Sequence, residues 1–235
     1  MIYSLSKVQK QILFLNKLAP DSAFYNLPVL YLVTGRLNEQ ALVGALKAVV
    51  SRHDQLRVIF DVDELTQEIC GIDVVSVDYM LKDLQHLSID DALSAAYKII
   101  EDDANTPLLV QQQSLWKVSL FKIQNGLQLI YFNFHHVIMD GGSWDIFLHE
   151  LKIIYAAIIQ GQDIKTLPLK QPGSYSDFVR YQLAEGSISM SAENYWVNKL
   201  RGYPYFSLPS DHNCNEKSAI FSGKKIERKI SKKLY

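Results

Sequence analysis

The stretch FNFHHVIMDGGSW, residues 132–144, closes an apolar run with two histidines, an acid and two glycines. With LQLIY before it, the run is rich in aromatic and branched residues and predicts a β-strand over 127–135. Asp140, Gly141 and Gly142 predict a tight turn. Beyond it Trp144, Phe147, Leu148, Leu151, Tyr155 and Ile158 recur at helical spacing, so a helix is expected over 144–159, stopped by Gly161.

Outward from this strand–turn–helix unit, QNG at 124–126 predicts a hairpin to a second strand over 115–123. Ser88 caps an expected helix over 88–104, with acids in the first turn where the helix dipole favours them. Asn38 opens another, ending near His53, in which Ala41, Leu42, Ala45, Leu46, Val49 and Val50 form one apolar face. A capping box, Ser6 with Gln9, starts a helix over 7–18 whose inward face is expected to carry Val8, Ile12 and Leu15. Shorter strands are expected at 28–35, 56–60, 67–70 and 74–77. Residues 161–174 read as a loop, and 175–184 and 192–200 as helices. A last strand carries Ile226 and Ile230, and Ser231 caps a helix that stops after one turn. Helices interspersed with hairpins and crossovers favour a mixed α/β sandwich.

The chain has 235 residues, 48% of them hydrophobic, and a formal net charge of −1. It can bury a sizeable core, and nothing in its balance points to nucleic acid or an anionic membrane. The basic end, residues 217–235, reads as a solvated face. Cys70 and Cys214 form no CxxC pair, no secretory leader is evident, and no apolar stretch approaches about 18 residues. A cytoplasmic protein is expected.

Strand parity puts Ile130, Phe132, Phe134 and His136 on one face, and Tyr131, Asn133 and His135 on the other. The histidines therefore cannot share a metal without a kink, zinc needs three or four ligands, and HELKI at His149 lacks the second histidine of HExxH. No metal site is expected. His136 is open to two readings: a core imidazole bonded to a carbonyl, or an acid–base group beside a helix N-terminus. Asp140 either orients a histidine or braces the turn. Bracing through Arg57, whose charge enters an apolar strand in RHDQLRVIF, is the favoured reading. Ser143 lacks the G-x-S-x-G setting of a nucleophile because position 145 is Asp, and it reads as a helix cap. Direct transfer assisted by one histidine fits better than an acyl-enzyme.

HHVIMDG (135–141) resembles the HHxxxDG signature of condensation domains of nonribosomal peptide synthetases, which have the chloramphenicol-acetyltransferase-like fold. LSKVQKQILFL (5–15), RHDQLRVIF (52–60), YSDFVRYQ (175–182) and YWVNKLRGYPYFSLPSD (195–211) resemble further motifs of that family, in its order. The likeness covers essentially the whole chain but only the first half of the family's domain. It implies a two-layer α/β sandwich with a mixed β-sheet, the N-terminal lobe of a two-lobed domain whose C-terminal lobe would form the other wall of a tunnel.

The resemblance assigns His136 to the reaction centre, with Asp140 holding its loop and Gly141 offering its backbone to substrate. His135 and Arg57 become structural support. The implied reaction forms an amide: the amine of an acceptor aminoacyl thioester on one carrier protein attacks a donor acyl thioester on another. The only cofactors implied are the 4′-phosphopantetheine arms of those carriers, with none bound directly by this chain. Only four residues precede LSKVQ, which is compatible with a domain that opens a polypeptide and receives its donor in trans or as a free acyl thioester. Leu13 stands where the family often has Trp. The order Asp140-Gly141-Gly142-Ser143-Trp144 is similar to that of epimerisation domains, so an epimerising relative is one alternative and a non-catalytic interaction lobe another. The 235 residues alone are expected to be inactive.

Overall fold

The strand that ends at the histidines lies inside a four-stranded sheet. In the computed structural model, which describes residues 2–72, 77–110, 114–184 and 190–204, this strand, β7 (Leu127–His135), pairs antiparallel with β2 (Asn26–Thr34) and β6 (Trp116–Lys122). Beyond β6, β5 (Tyr79–Asp83) adds a parallel edge, giving the order β2-β7-β6-β5. A parallel pair needs a crossover, and α3 (Ile89–Ala104) supplies it. A smaller antiparallel sheet joins β1 (Ile2–Ser4), β4 (Thr66–Ile69) and β3 (Val58–Asp61) in the order β1-β4-β3. The sandwich is thus mixed α/β, as expected.

Alternation along β7 sorts its side chains between two cores. Ile130, Phe132 and Phe134 join the larger one, with α2 (Glu39–Arg52) and α4 (Gly141–Ile159). Leu129 and Tyr131 join Ala92 and Ala96 of α3 on the opposite face. A strand buried on both faces reads as a near-continuous apolar run, and residues 127–134 show one interrupted only by the buried Gln128 and Asn133. In α2, Asn38 Oδ1 accepts the Ala41 N–H at 3.0 Å, and all six apolar positions expected inside are buried. Gly44 lets α2 approach α4, because a Cβ there would lie 3.2 Å from Ile158 Cδ1.

Helix α1 (Lys7–Leu18) has its capping box, with Ser6 Oγ accepting from Gln9 N at 3.1 Å and Gln9 Oε1 from Ser6 N at 3.0 Å. Its inward face differs in part from expectation: Ile12 packs against the core, but Val8 and Leu15 are exposed, whereas Gln9 and Leu13 are buried. Gln9 and Gln67 exchange amide hydrogen bonds of 3.0 and 2.8 Å, and Gln9 reaches Gln55 at 3.2 Å. A polar side chain so satisfied can occupy an interior position that apolar periodicity assigns elsewhere. Helix α5 (Tyr175–Ala184) fastens this end, with Tyr175 Oη donating to Ser6 Oγ at 2.9 Å.

Three expectations shift. Leu56 and Arg57 belong to a 3-10 turn, Asp54–Arg57, so β3 starts two residues late. The strand expected at 74–77 falls mainly outside the described residues, and the strand of this region is β5. Helix α4 begins at Gly141, capped by Asp140 rather than Ser143. The strand with Ile226 and Ile230 and the Ser231 turn lie outside the described residues. The chain divides into two compact units, Met1–Ser187 and Ile188–Tyr235. In the second, α6 (Met190–Leu200) has Lys199 bonded to Tyr195 Oη at 2.9 Å, its ammonium 5.8 Å from the Trp196 ring centroid.

Candidate active site at the end of the central strand

β7 stops where its backbone is clamped from both sides. His135 N donates to Leu115 O and His136 N to Tyr25 O, each at 2.8 Å, and Ile138 N closes a turn onto His135 O at 3.1 Å. The end of the strand then separates the two rings, His135 being its last residue and His136 the first of the turn. His135 is 1% exposed, and its Nδ1 accepts the Val137 N–H at 3.1 Å, which places the proton of the neutral ring on Nε2. Burial, helped by the charge of His136, lowers its pKa to about 4, so the ring is neutral near pH 7. His136 is exposed at the first position of the turn, which removes the core-imidazole reading for it.

At the end of α3, Asp103 accepts hydrogen bonds from Asn133 Nδ2 (2.8 Å), Tyr131 Oη (3.0 Å) and Lys117 Nζ (2.9 Å). On the other face of β7 Trp144 packs its ring edge-on against Phe134, centroids 5.9 Å apart, and fixes the first turn of α4 onto β7.

Asp140 and Arg57 do not pair. Asp140 Oδ1 accepts the Ser143 N–H at 2.8 Å and the Ser143 hydroxyl at 2.6 Å. These bonds hold the Asp140 carboxyl below its ordinary range, and the charge of His136 adds to them. Arg57 folds back across the end of α2, donating to Val50 O at 3.0 Å, to Cys70 O, and to Asp54 Oδ1 at 2.8 Å. Each charge is taken up by a nearby helix end of complementary polarity, a local partner that outcompetes a distant one. Gly141 opens α4 and is exposed, and a Cβ on it would meet nothing within 4 Å.

Glu150 was not among the expected site residues. Buried on α4, it accepts from Arg52 Nε at 2.8 Å and Arg52 Nη2 at 3.3 Å, and lies 2.9 Å from His53 Nε2. Burial pushes its carboxyl upward, but the hydrogen bonds from Arg52 and His53 outweigh this and hold it below its ordinary value. Arg52 also donates to Lys170 O at 2.6 Å. An acid within the apolar stripe of the helix was the available signal, since a buried carboxylate requires a cation. Tyr25 and Asn26 were not among the expected site residues either.

A cavity of about 620 Å³ lies between α1, the small sheet and Leu109–Val110, and neither histidine lines it. Among the described residues no three His, Cys, Asp or Glu side chains converge as a metal site, and no helix is long and apolar enough to cross a membrane. The arrangement offers an exposed imidazole in the turn that leads from β7 into a 19-residue helix. It can accept or place a proton next to first-turn N–H groups.

The family model described as Condensation domain matches residues 1–235. A linear gramicidin synthase chain of Brevibacillus parabrevis is 32% identical over 211 residues, 88% of this chain and 4% of that protein. Nonribosomal peptide synthetase kk1B of Curvularia clavata is 31% identical over 235 residues, covering 97% of this chain and 2% of its own length. Among solved structures, the starter condensation domain of rhizomide synthetase has a TM-score of 0.73 at 24% identity, covering 87% of this chain and 49% of that one. The first condensation domain of the calcium-dependent antibiotic synthetase, solved with a substrate analogue, has a TM-score of 0.72 at 21% identity and the same coverage. This chain therefore spans a few per cent of the curated relatives and about half of the solved domains.

Proposed function

The chain belongs to the condensation-domain family, and on that premise we propose that it is the N-terminal lobe of a two-lobed domain that forms amides between carrier-bound thioesters. The observation that carries this reading is the division of labour between the two histidines: His135 buried and neutral, His136 exposed beside the start of α4. His136 takes the proton of the acceptor amine, or holds that amine, as its nitrogen attacks the donor carbonyl. The C–N bond forms, the C–S bond breaks, and the pantetheine thiolate leaves and regains a proton. In this reading the Gly141 and Gly142 N–H groups, rather than the Ser143 N–H that bonds to Asp140, donate to the developing oxyanion. Open space around Gly141 supports backbone approach to substrate there.

Donor and acceptor carrier proteins, bearing 4′-phosphopantetheine arms, are the partners of this reading. A second lobe supplies the opposite wall that excludes water. The Gly142-Ser143-Trp144 order that is similar to epimerisation domains has a local use here, because Ser143 completes the Asp140 cap. The test is a condensation assay with both carriers loaded, on the protein that carries this lobe. His136→Ala abolishes product, and a variant that condenses at the normal rate overturns the proposal. The 235 residues alone form no amide.

A further inference from the structure

The turn that holds the histidines is fastened by a segment that this chemistry does not use. Ser22 caps a 3-10 turn, Ala23–Tyr25, directly before β2. At its end the Tyr25 carbonyl takes the His136 N–H at 2.8 Å, while the Tyr25 ring lies 6.0 Å from the His135 ring, the planes tilted by 35°. One residue on, Asn26 stands opposite His135 in the β2–β7 register and is 8% exposed. Its Nδ2 donates to Ala104 O at 3.0 Å and Thr106 O at 2.8 Å, at the end of α3. Its Oδ1 accepts the Leu108 N–H at 3.4 Å. Both amide hydrogens and the amide oxygen are thus committed to the backbone of one neighbouring segment. That is the signature of an anchor, not of a surface residue.

A hydrogen bond to the N–H of His136 restrains tilting of the 135–136 peptide plane, from which that residue's side chain projects. A swing of roughly 10° there moves the tip of an imidazole by about 1 Å, a displacement on the order of a hundredfold in rate for a positioned catalytic group. Resting on the reading above, we propose that Tyr25 is a positioning residue of the reaction centre and Asn26 its anchor. Together they set the direction in which the His136 imidazole meets substrate and the pose of the His135 ring behind it. Tyr25 acts through its carbonyl and ring face, so its hydroxyl is dispensable.

The test combines ¹⁵N-histidine NMR of this chain with kinetics of the two-lobed protein, for Tyr25→Ala, Tyr25→Phe and Asn26→Ala, each checked as folded by circular dichroism at the assay temperature. Tyr25→Ala and Asn26→Ala should move the imidazole nitrogen resonances of both histidines and lower kcat by about tenfold or more, with the acceptor KM within about twofold. Tyr25→Phe should restore the parent spectrum and rate. A merely structural role lowers the melting temperature and leaves the imidazole resonances of the folded protein in place. Folded Tyr25→Ala or Asn26→Ala with parent resonances and kcat within about twofold overturns the positioning role. A His136→Ala variant of normal rate overturns the functional reading instead, and the resonances then report the clamp on its own.

Discussion

Arg52 and Glu150 join the end of α2 to the middle of α4 through two hydrogen bonds, 2.8 and 3.3 Å long, with His53 on the same carboxylate. The Glu150 side chain is 9% exposed and the Arg52 side chain 20%. Removing one partner strands a charge that water reaches poorly. Glu150→Ala should therefore destabilise by about 3 kcal/mol, and the Arg52→Ala, Glu150→Ala double variant by clearly less than the sum of the singles. The folded carboxyl is depressed, so its contribution is fully present above the ordinary carboxylate range and is lost as pH falls through the folded value. Urea melts of the parent and Glu150→Gln should converge in acid; a gap that persists there counts against the ion pair.

Asp140 acts as the cap of α4, independent of Arg57. Asp140→Ala should cost about 1 kcal/mol, the usual worth of a cap, and Asp140→Asn less, because an amide oxygen can still accept from Ser143 N. Arg57→Ala should cost more, as it removes the Arg57 donor from Val50 O, Cys70 O and Asp54 Oδ1 at once. The two losses should add to within about 0.5 kcal/mol in a double-mutant cycle. A coupling well above that would restore a direct brace between them.

His135 makes stability fall in mild acid. Its folded pKa of about 4 lies below the ordinary 6.5, so between those values the unfolded chain binds a proton that the folded chain refuses. The contribution is complete above 6.5 and is lost as pH falls toward 4, at up to about 1.4 kcal/mol per pH unit. His135→Gln should flatten this part of the pH–stability curve. An NMR titration should find no protonation of His135 at pH 6; a half-protonated ring there refutes the buried neutral state.

Features written within a few residues of one another were legible in the sequence. Ser6 with Gln9, Asn38 with Ala41 and Ser88 with Asp91 close as side-chain-to-backbone caps because each pair is three residues apart on a helix start. Strand parity holds as far as His135, the last residue of β7, whereas His136 is set apart by lying in the turn beyond the strand, where parity no longer applies. Choices among distant partners were not legible. Arg52 meets Glu150 and Asn26 meets Thr106 across large sequence separations, and no local spacing favours those partners over others. β5 has no local signal because Met80, Leu81, Lys82 and Asp83 are all exposed, so its edge carries no alternation of burial.

The inverted face of α1 has its own test. Gln9 is 1% exposed and bonds to Ser6, Gln67 and Gln55, whereas Val8 on the neighbouring face is 57% exposed. If the glutamine network orients the helix, the polar residue is the stabilising one and the apolar residue is not. Gln9→Ala leaves the buried Gln67 amide and the Ser6 N–H short of partners, at about 1–3 kcal/mol. Gln9→Leu gains apolar volume but keeps that deficit, so it should not recover stability. Val8→Ala should stay within about 0.5 kcal/mol, as surface substitutions do. Chemical denaturation of the three variants decides between the faces: a large loss at Val8 with little at Gln9 would reinstate the apolar face.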